Sequence, residues 1–96
     1  MWTEKQFNLG ERRNVTLELN LGEEPKVIPE NAVWSLVRYG SGVVEANGDC
    51  TVTKNENGVF ELTALVEPQY RGLYQLVYTF DLGIECRKPC MIIKVK

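Results

Sequence analysis

The residue types that do chemistry are sparse in this chain. It has three cysteines, Cys50, Cys86 and Cys90, and no histidine. Without histidine, Ser-His-Asp and Cys-His catalysis are removed, along with the commonest metal ligand. Cys86-x-x-x-Cys90 lacks the second ligand pair that a zinc site needs, and Cys50 is a lone third sulfur. A Cys86–Cys90 bridge requires the two to face each other across a tight loop. Free thiols in a reducing compartment are the plainer expectation. Glu23-Glu24 and Glu56 fall in loops, match no calcium-loop spacing, and read as solvated charge. Gly40-Ser41-Gly42 would cradle a phosphate only if a helix followed to supply amide donors; none is expected, so it reads as a strand connector. Asn14-Val15-Thr16 matches a glycosylation sequon but has no secretion signal beside it. The chain is therefore expected not to be an enzyme and to need no metal and no cofactor.

The elements that must position these residues are strands. A chain of 96 residues suits one domain, spanning residues 1–96. Apolar residues make up 44% and charged residues 25%, which argues against disorder. Net charge is −2 with mixed signs, and Arg12-Arg13 and Arg87-Lys88 are the largest basic clusters. Neither tracks a phosphate backbone, so no nucleic acid is expected. No apolar run approaches the roughly 20 residues of a membrane span. The start, Met1 to Lys5, lacks the charged-then-apolar order of a signal peptide. The expectation is a protein cytoplasmic at synthesis, or a piece cut from a larger one.

Alternation of apolar and polar residues, punctuated by Gly, Asn and Pro, runs through the chain. Val15, Leu17, Leu19 and Leu21 share one face of a strand over 14–21. Gly22 to Glu30 holds Pro25 and Pro29 and reads as a loop. Ala32, Trp34 and Leu36 share one face of the next strand, with Val33, Ser35, Val37 and Tyr39 on the other. A short strand over 43–46, a turn at Asn47-Gly48 and a strand over 50–54 follow. Asn57-Gly58 predicts a type I′ hairpin turn into a strand over 59–66. After a corner at 67–71, Tyr74, Leu76, Tyr78, Phe80 and Leu82 line one face of a strand over 72–82. A turn over 83–89 leads to a last strand over 90–96, and a weaker strand opens the chain around 5–9. About seven to eight short strands predict an all-β antiparallel sandwich.

The stretch from Phe60 to Leu76, with its Pro-containing corner and Gly72-Leu73-Tyr74-Gln75-Leu76, resembles the E–F region of immunoglobulin-like domains. The resemblance implies an immunoglobulin-like Greek-key sandwich. It puts Tyr74 at the tyrosine corner, its hydroxyl bonding back to the corner backbone. It puts Trp34 across the core, and Leu19 and Leu76 where the family often has its inter-sheet disulfide. That departure resembles the bridge-free versions of bacteria and their viruses. The ending from Gly72 to Cys86, followed by Met91 to Val95, is similar to small immunoglobulin-like modules of tailed-phage virions. The function this implies is a non-catalytic structural or interaction module of a phage or prophage virion.

One pattern points to a partner. If the strands carrying Trp34, Tyr74 and Ile93 share a sheet, its outer face carries Val33, Val37, Tyr39, Val77 and Ile92. Five apolar neighbours form a patch for a protein partner or a second copy, although Ser35, Gln75, Thr79 and Lys94 dilute it. The alternative is a carbohydrate- or cell-surface-binding module of a larger bacterial protein, with Trp2, Tyr70 and Arg71 as contacts. Corner packing and solvation account for Tyr70 and Arg71 otherwise.

Overall fold

The computed structural model describes residues 4–19 and 28–96. Among these the chain forms nine strands and no helix. They are β1 (Glu4–Phe7), β2 (Arg13–Leu19), β3 (Glu30–Arg38), β4 (Val44–Asp49), β5 (Thr51–Lys54), β6 (Phe60–Val66), β7 (Gly72–Leu82), β8 (Glu85–Arg87) and β9 (Cys90–Val95). One sheet runs β1-β9-β7-β3-β4, with β8 also paired to β7; the other runs β2-β6-β5. The molecule is a β-sandwich. Trp2, Leu21, Glu23-Glu24 and Pro25 lie outside the described residues.

Period-2 burial makes the two layers. Ala32, Trp34 and Leu36 on β3 are buried, and so are Tyr74, Leu76, Tyr78 and Phe80 on β7. Met91, Ile93 and Val95 on β9 join them from the same sheet. Val15 and Leu19 on β2 and Phe60, Leu62, Ala64 and Val66 on β6 supply the opposing layer of one continuous core. Each alternation places a hydrophobic side chain inward and its neighbours outward. Two contacts tie the layers beyond apolar packing. The buried Tyr78 hydroxyl donates to the Val15 carbonyl at 2.8 Å. The Arg13 guanidinium lies 4.6 Å from the Phe7 ring centroid and donates to the Gln6 carbonyl at 2.7 Å. Core markers Leu19, Trp34, Tyr74 and Leu76 are all buried. Leu19 borders a surface depression together with Phe80.

The structure departs from the sequence expectations at several turns. Asn47-Gly48 is no turn: both residues lie inside β4, with Gly48 opposite Trp34. A Cβ at Gly48 would sit 3.0–3.2 Å from the Trp34 indole. The glycine serves close ring approach rather than chain reversal. Asn57-Gly58 does close a β5–β6 hairpin, but not as a type I′ turn, because only Gly58 has positive φ. Gly58 N donates to the Asn55 carbonyl, Asn55 N to the Val59 carbonyl, and the Asn55 side chain accepts from Asn57 and Val59 amides. A turn followed by a left-handed glycine makes a three-residue loop. Residues 83–89 are not one turn. Gly83, at φ 61°, and Ile84 make a two-residue reversal, and β8 pairs back along β7.

The β7 ladder keeps one register from Leu82↔Glu85 through Phe80↔Arg87 to Val77↔Cys90 and Gly72↔Val95. Only Lys88-Pro89 interrupts it, because proline brings no N–H; the Pro89 carbonyl still accepts from Tyr78 N at 2.9 Å. Finally, β1 pairs with β9 in parallel, so the sandwich is not wholly antiparallel. The opening strand lies along the free edge of β9 before the chain crosses to β2. Such long-range pairing left no local signal.

Candidate functional site

The three thiols are the chain's most nucleophilic side-chain type. All three cysteines are free. Cys86 and Cys90 lie on one extended run, so about 13 Å of strand separates them. A disulfide requires Cα atoms within about 7 Å, so the bridge considered from sequence does not fit this fold. Cys50 packs against the core, and burial, then the nearby Asp49 charge, pushes its thiol up to about 11. Cys86 is exposed. With a thiol-modifying reagent at pH 8, Cys86 is expected to react first and Cys50 last, by about tenfold or more, because the thiolate is the nucleophile. Equal rates by peptide mapping would contradict the half-buried placement of Cys50.

Among the described residues no group of three or more Cys, Asp or Glu side chains is gathered for a metal ion. Gly40-Ser41-Gly42 connects β3 to β4: Arg38 N donates to the Val43 carbonyl and Gly42 N to the Arg38 carbonyl.

The outer face of the larger sheet carries the five residues singled out from sequence. Register defines its rows. Glu4, Ile92, Gln75, Val37 and Val44 form one row across five strands. Cys90, Val77, Ser35 and Asn47 form the next. Lys94 and Leu73 pair on the other side, and Tyr39 N donates to the Leu73 carbonyl at 3.0 Å. Val37, Val77 and Ile92 therefore surround Gln75, and Tyr39, 56% exposed, extends the patch to one end. Val33 sits at the other margin between Thr79 and Asp49. Leu73 and Val44, both exposed, enlarge the surface and were not in the sequence-derived set. Leu73 had already fallen on this face by alternation. Val44 joins because β4 carries a bulge at Glu45: the register passes from Leu36↔Ala46 to Val37↔Val44, which returns Val44 to the outer row. Within β7 and β3, the outer positions from Leu73 to Thr79 and from Val33 to Tyr39 carry no charge.

A second cluster lies where β3 and β7 meet the 67–71 corner. The Tyr74 hydroxyl donates to the Tyr70 carbonyl at 3.0 Å, the bond expected of a tyrosine corner. Arg38 follows Ala32, Trp34 and Leu36 on the inner alternation of β3, where a charge needs a partner. It has one: Arg38 Nη2 donates to Glu45 Oε1 at 2.5 Å. The guanidinium lies 5.5 Å from the Tyr70 ring centroid and 5.8 Å from that of Tyr74. The Tyr74 hydroxyl, with Arg38, holds the Glu45 carboxyl below its ordinary value against the opposing effect of burial.

No protein-family model matches this chain, and no curated protein matches it.

The exposed groups can serve recognition. Two surfaces offer it: an uncharged apolar sheet face, and an arginine–tyrosine cluster at one end. Arg38 was missed from sequence, although its place on an apolar alternation was the available signal. Tyr70 and Arg71 flank that cluster, and Tyr70 is exposed.

Proposed function

We propose that the chain is an immunoglobulin-like, non-catalytic interaction module whose outer sheet face docks a second copy of itself. The immunoglobulin-like assignment is supported by the strand order, by the Tyr74–Tyr70 corner bond and by Trp34 within the core. The observation that carries the docking role is the uncharged centre of the β9-β7-β3-β4 face. It is apolar around Gln75 and bordered by Glu4, Lys94 and Asp49. Charge depletion at the centre with polar groups at the rim is the anatomy of a protein interface.

The dimensions are adequate. Five strands about 4.8 Å apart and about 20 Å of paired length give about 480 Å² in projection. Protruding side chains raise the accessible surface toward the ~800 Å² that a standard interface takes from each partner. A homotypic pairing needs no complementary shape elsewhere, because a two-fold axis sets the same patch against itself. The proposal extends to a structural module of a phage or prophage virion, where repeated copies multiply modest contacts. Its support there is the sequence ending from Gly72 to Cys86 and Met91 to Val95.

Light scattering tests the docking role. The wild type is expected to be a dimer at about 100 μM, a concentration suited to a weak-to-moderate interface. Val37→Arg or Val77→Lys, each placing an unpaired charge in the contact, is expected to give a monomer with an unchanged circular dichroism spectrum. A monomeric wild type, or variants that still dimerise, would remove the self-docking proposal. The alternative of a carbohydrate- or cell-surface-binding module is favoured by one observation, the Arg38–Tyr70–Arg71 cluster.

A further inference from the structure

A depression of about 280 Å³ opens beside this cluster, lined by Arg38, Tyr39, Arg71, Gly72, Leu73 and Tyr74. We infer that it is a binding site for a carboxylate-bearing sugar, a single uronic acid residue of an acidic saccharide.

Three features carry this. First, Arg38 is fixed before any ligand arrives. One nitrogen is held by Glu45, and the guanidinium carbon lies over the Tyr70 and Tyr74 rings, 5.5 and 5.8 Å from their centroids. Nη2 donates to Glu45 and the Tyr74 hydroxyl stands beside the guanidinium, which leaves further N–H donors of its five for a ligand. A guanidinium held in place loses little freedom on pairing with a carboxylate, and its planar fork matches one.

Second, the charge is unbalanced in the right direction. Arg38 and Arg71 bring two positive charges and Glu45 one negative. Arg71 makes no ion pair among the described residues. An anion entering the depression meets a net positive charge.

Third, Tyr39, 56% exposed, lines the depression with both arginines, and Tyr70, 59% exposed, stands just outside it against Arg38. Exposed aromatic faces present flat apolar surface with a polar tip, which suits the C–H face and hydroxyls of a sugar ring. A bare phosphate would use the arginines and leave the rings idle. The volume suits one ring and lies just under the usual range of small-molecule sites.

The inference does not depend on the docking proposal, although Tyr39 borders both surfaces. An amide-resolved NMR titration with D-galacturonate tests it, run on the wild type and on Val37→Arg. Galactose, acetate, inorganic phosphate and a short polyglutamate peptide are the comparison probes. Galacturonate is expected to shift amides of Tyr39 and residues 71–74 with a Kd of about 1 mM, typical of one small ligand. The other probes are expected to bind about tenfold more weakly, and Val37→Arg to bind galacturonate as the wild type does. Arg71→Gln, on an exposed side chain, is expected to weaken binding by about fivefold or more while the rest of the spectrum stays in place. Acetate or phosphate binding as well as galacturonate would reduce the site to a general anion contact and overturn the inference. So would preferential binding of the peptide, an unaffected Arg71→Gln, loss of binding in Val37→Arg, or no localised shifts.

Discussion

Replacing Trp34 with alanine is expected to cost about 3–5 kcal/mol, the range for deleting a buried aromatic side chain. The indole is buried between the sheets and lies over Gly48 of the neighbouring strand. That closeness adds a sharper expectation. In the wild type, Gly48→Ala places a methyl about 3 Å from the packed indole and is expected to destabilise by about 1 kcal/mol, an overpacking cost. In the Trp34→Ala background that methyl enters vacated space. There the same change is expected to be neutral or stabilising. The double-mutant cycle, measured by denaturant unfolding, should therefore show a coupling of about 1–2 kcal/mol. Additive effects would mean that the ring does not lie over Gly48.

The second large effect is alkaline unfolding. Burial, then the neighbouring Cys50, holds the Tyr78 phenol far above its ordinary pKa. Burial, then the Glu45 carboxylate, pushes Tyr74 up to about 12. The unfolded value is about 10. A folded-state pKa above the unfolded one means that the native state binds the proton more tightly. The stabilisation is fully present below pH ~10 and is lost as pH rises through the folded values. Tyr78, the more deeply buried phenol, then removes about 1.4 kcal/mol per pH unit, or about 3 kcal/mol between pH 10 and 12, and Tyr74 adds a smaller, solvent-screened loss in the same sense. That is a large share of the stability of a small domain. Cys50, raised to about 11, acts in the same sense. Stability is expected to be flat near neutrality and to collapse above pH 10. Tyr78→Phe loses the bond to the Val15 carbonyl, costing about 1–2 kcal/mol at pH 7. It also removes one proton from the alkaline slope. An alkaline slope identical in wild type and Tyr78→Phe would show that this phenol is not buried.

Much of the architecture was legible in period-2 alternation. The inward sets on β3 and β7, and the outer positions of Val33, Val37, Tyr39, Val77 and Ile92, follow from it directly. Burial of one sheet face fixes register so strongly that alternation carries over into three dimensions. The tyrosine-corner bond was legible through the resemblance, because it depends on a local spacing around Tyr74 and Pro68. What failed was glycine punctuation. Asn-Gly suggests a turn wherever left-handed backbone is needed, but Gly48 is there because an indole leaves no room for a Cβ. The parallel β1–β9 pairing and the Tyr78–Val15 bond join residues far apart in the chain, so nothing local announced them. The depression beside Arg38 was half legible: Arg71, which lines it, and the adjoining Tyr70 were singled out, but Arg38 was read past because its neighbours on the strand are apolar.

The most direct test is to follow methyl and amide NMR signals of the wild type as its concentration rises from about 20 μM to 1 mM, across the range of a weak-to-moderate homodimer. Progressive shifts confined to Val37, Leu73, Val77 and Ile92 and their row neighbours, with β2, β5 and β6 unmoved, are what the self-docking sheet face requires. Signals that stay still throughout, or that move on the β2-β6-β5 sheet instead, would contradict it.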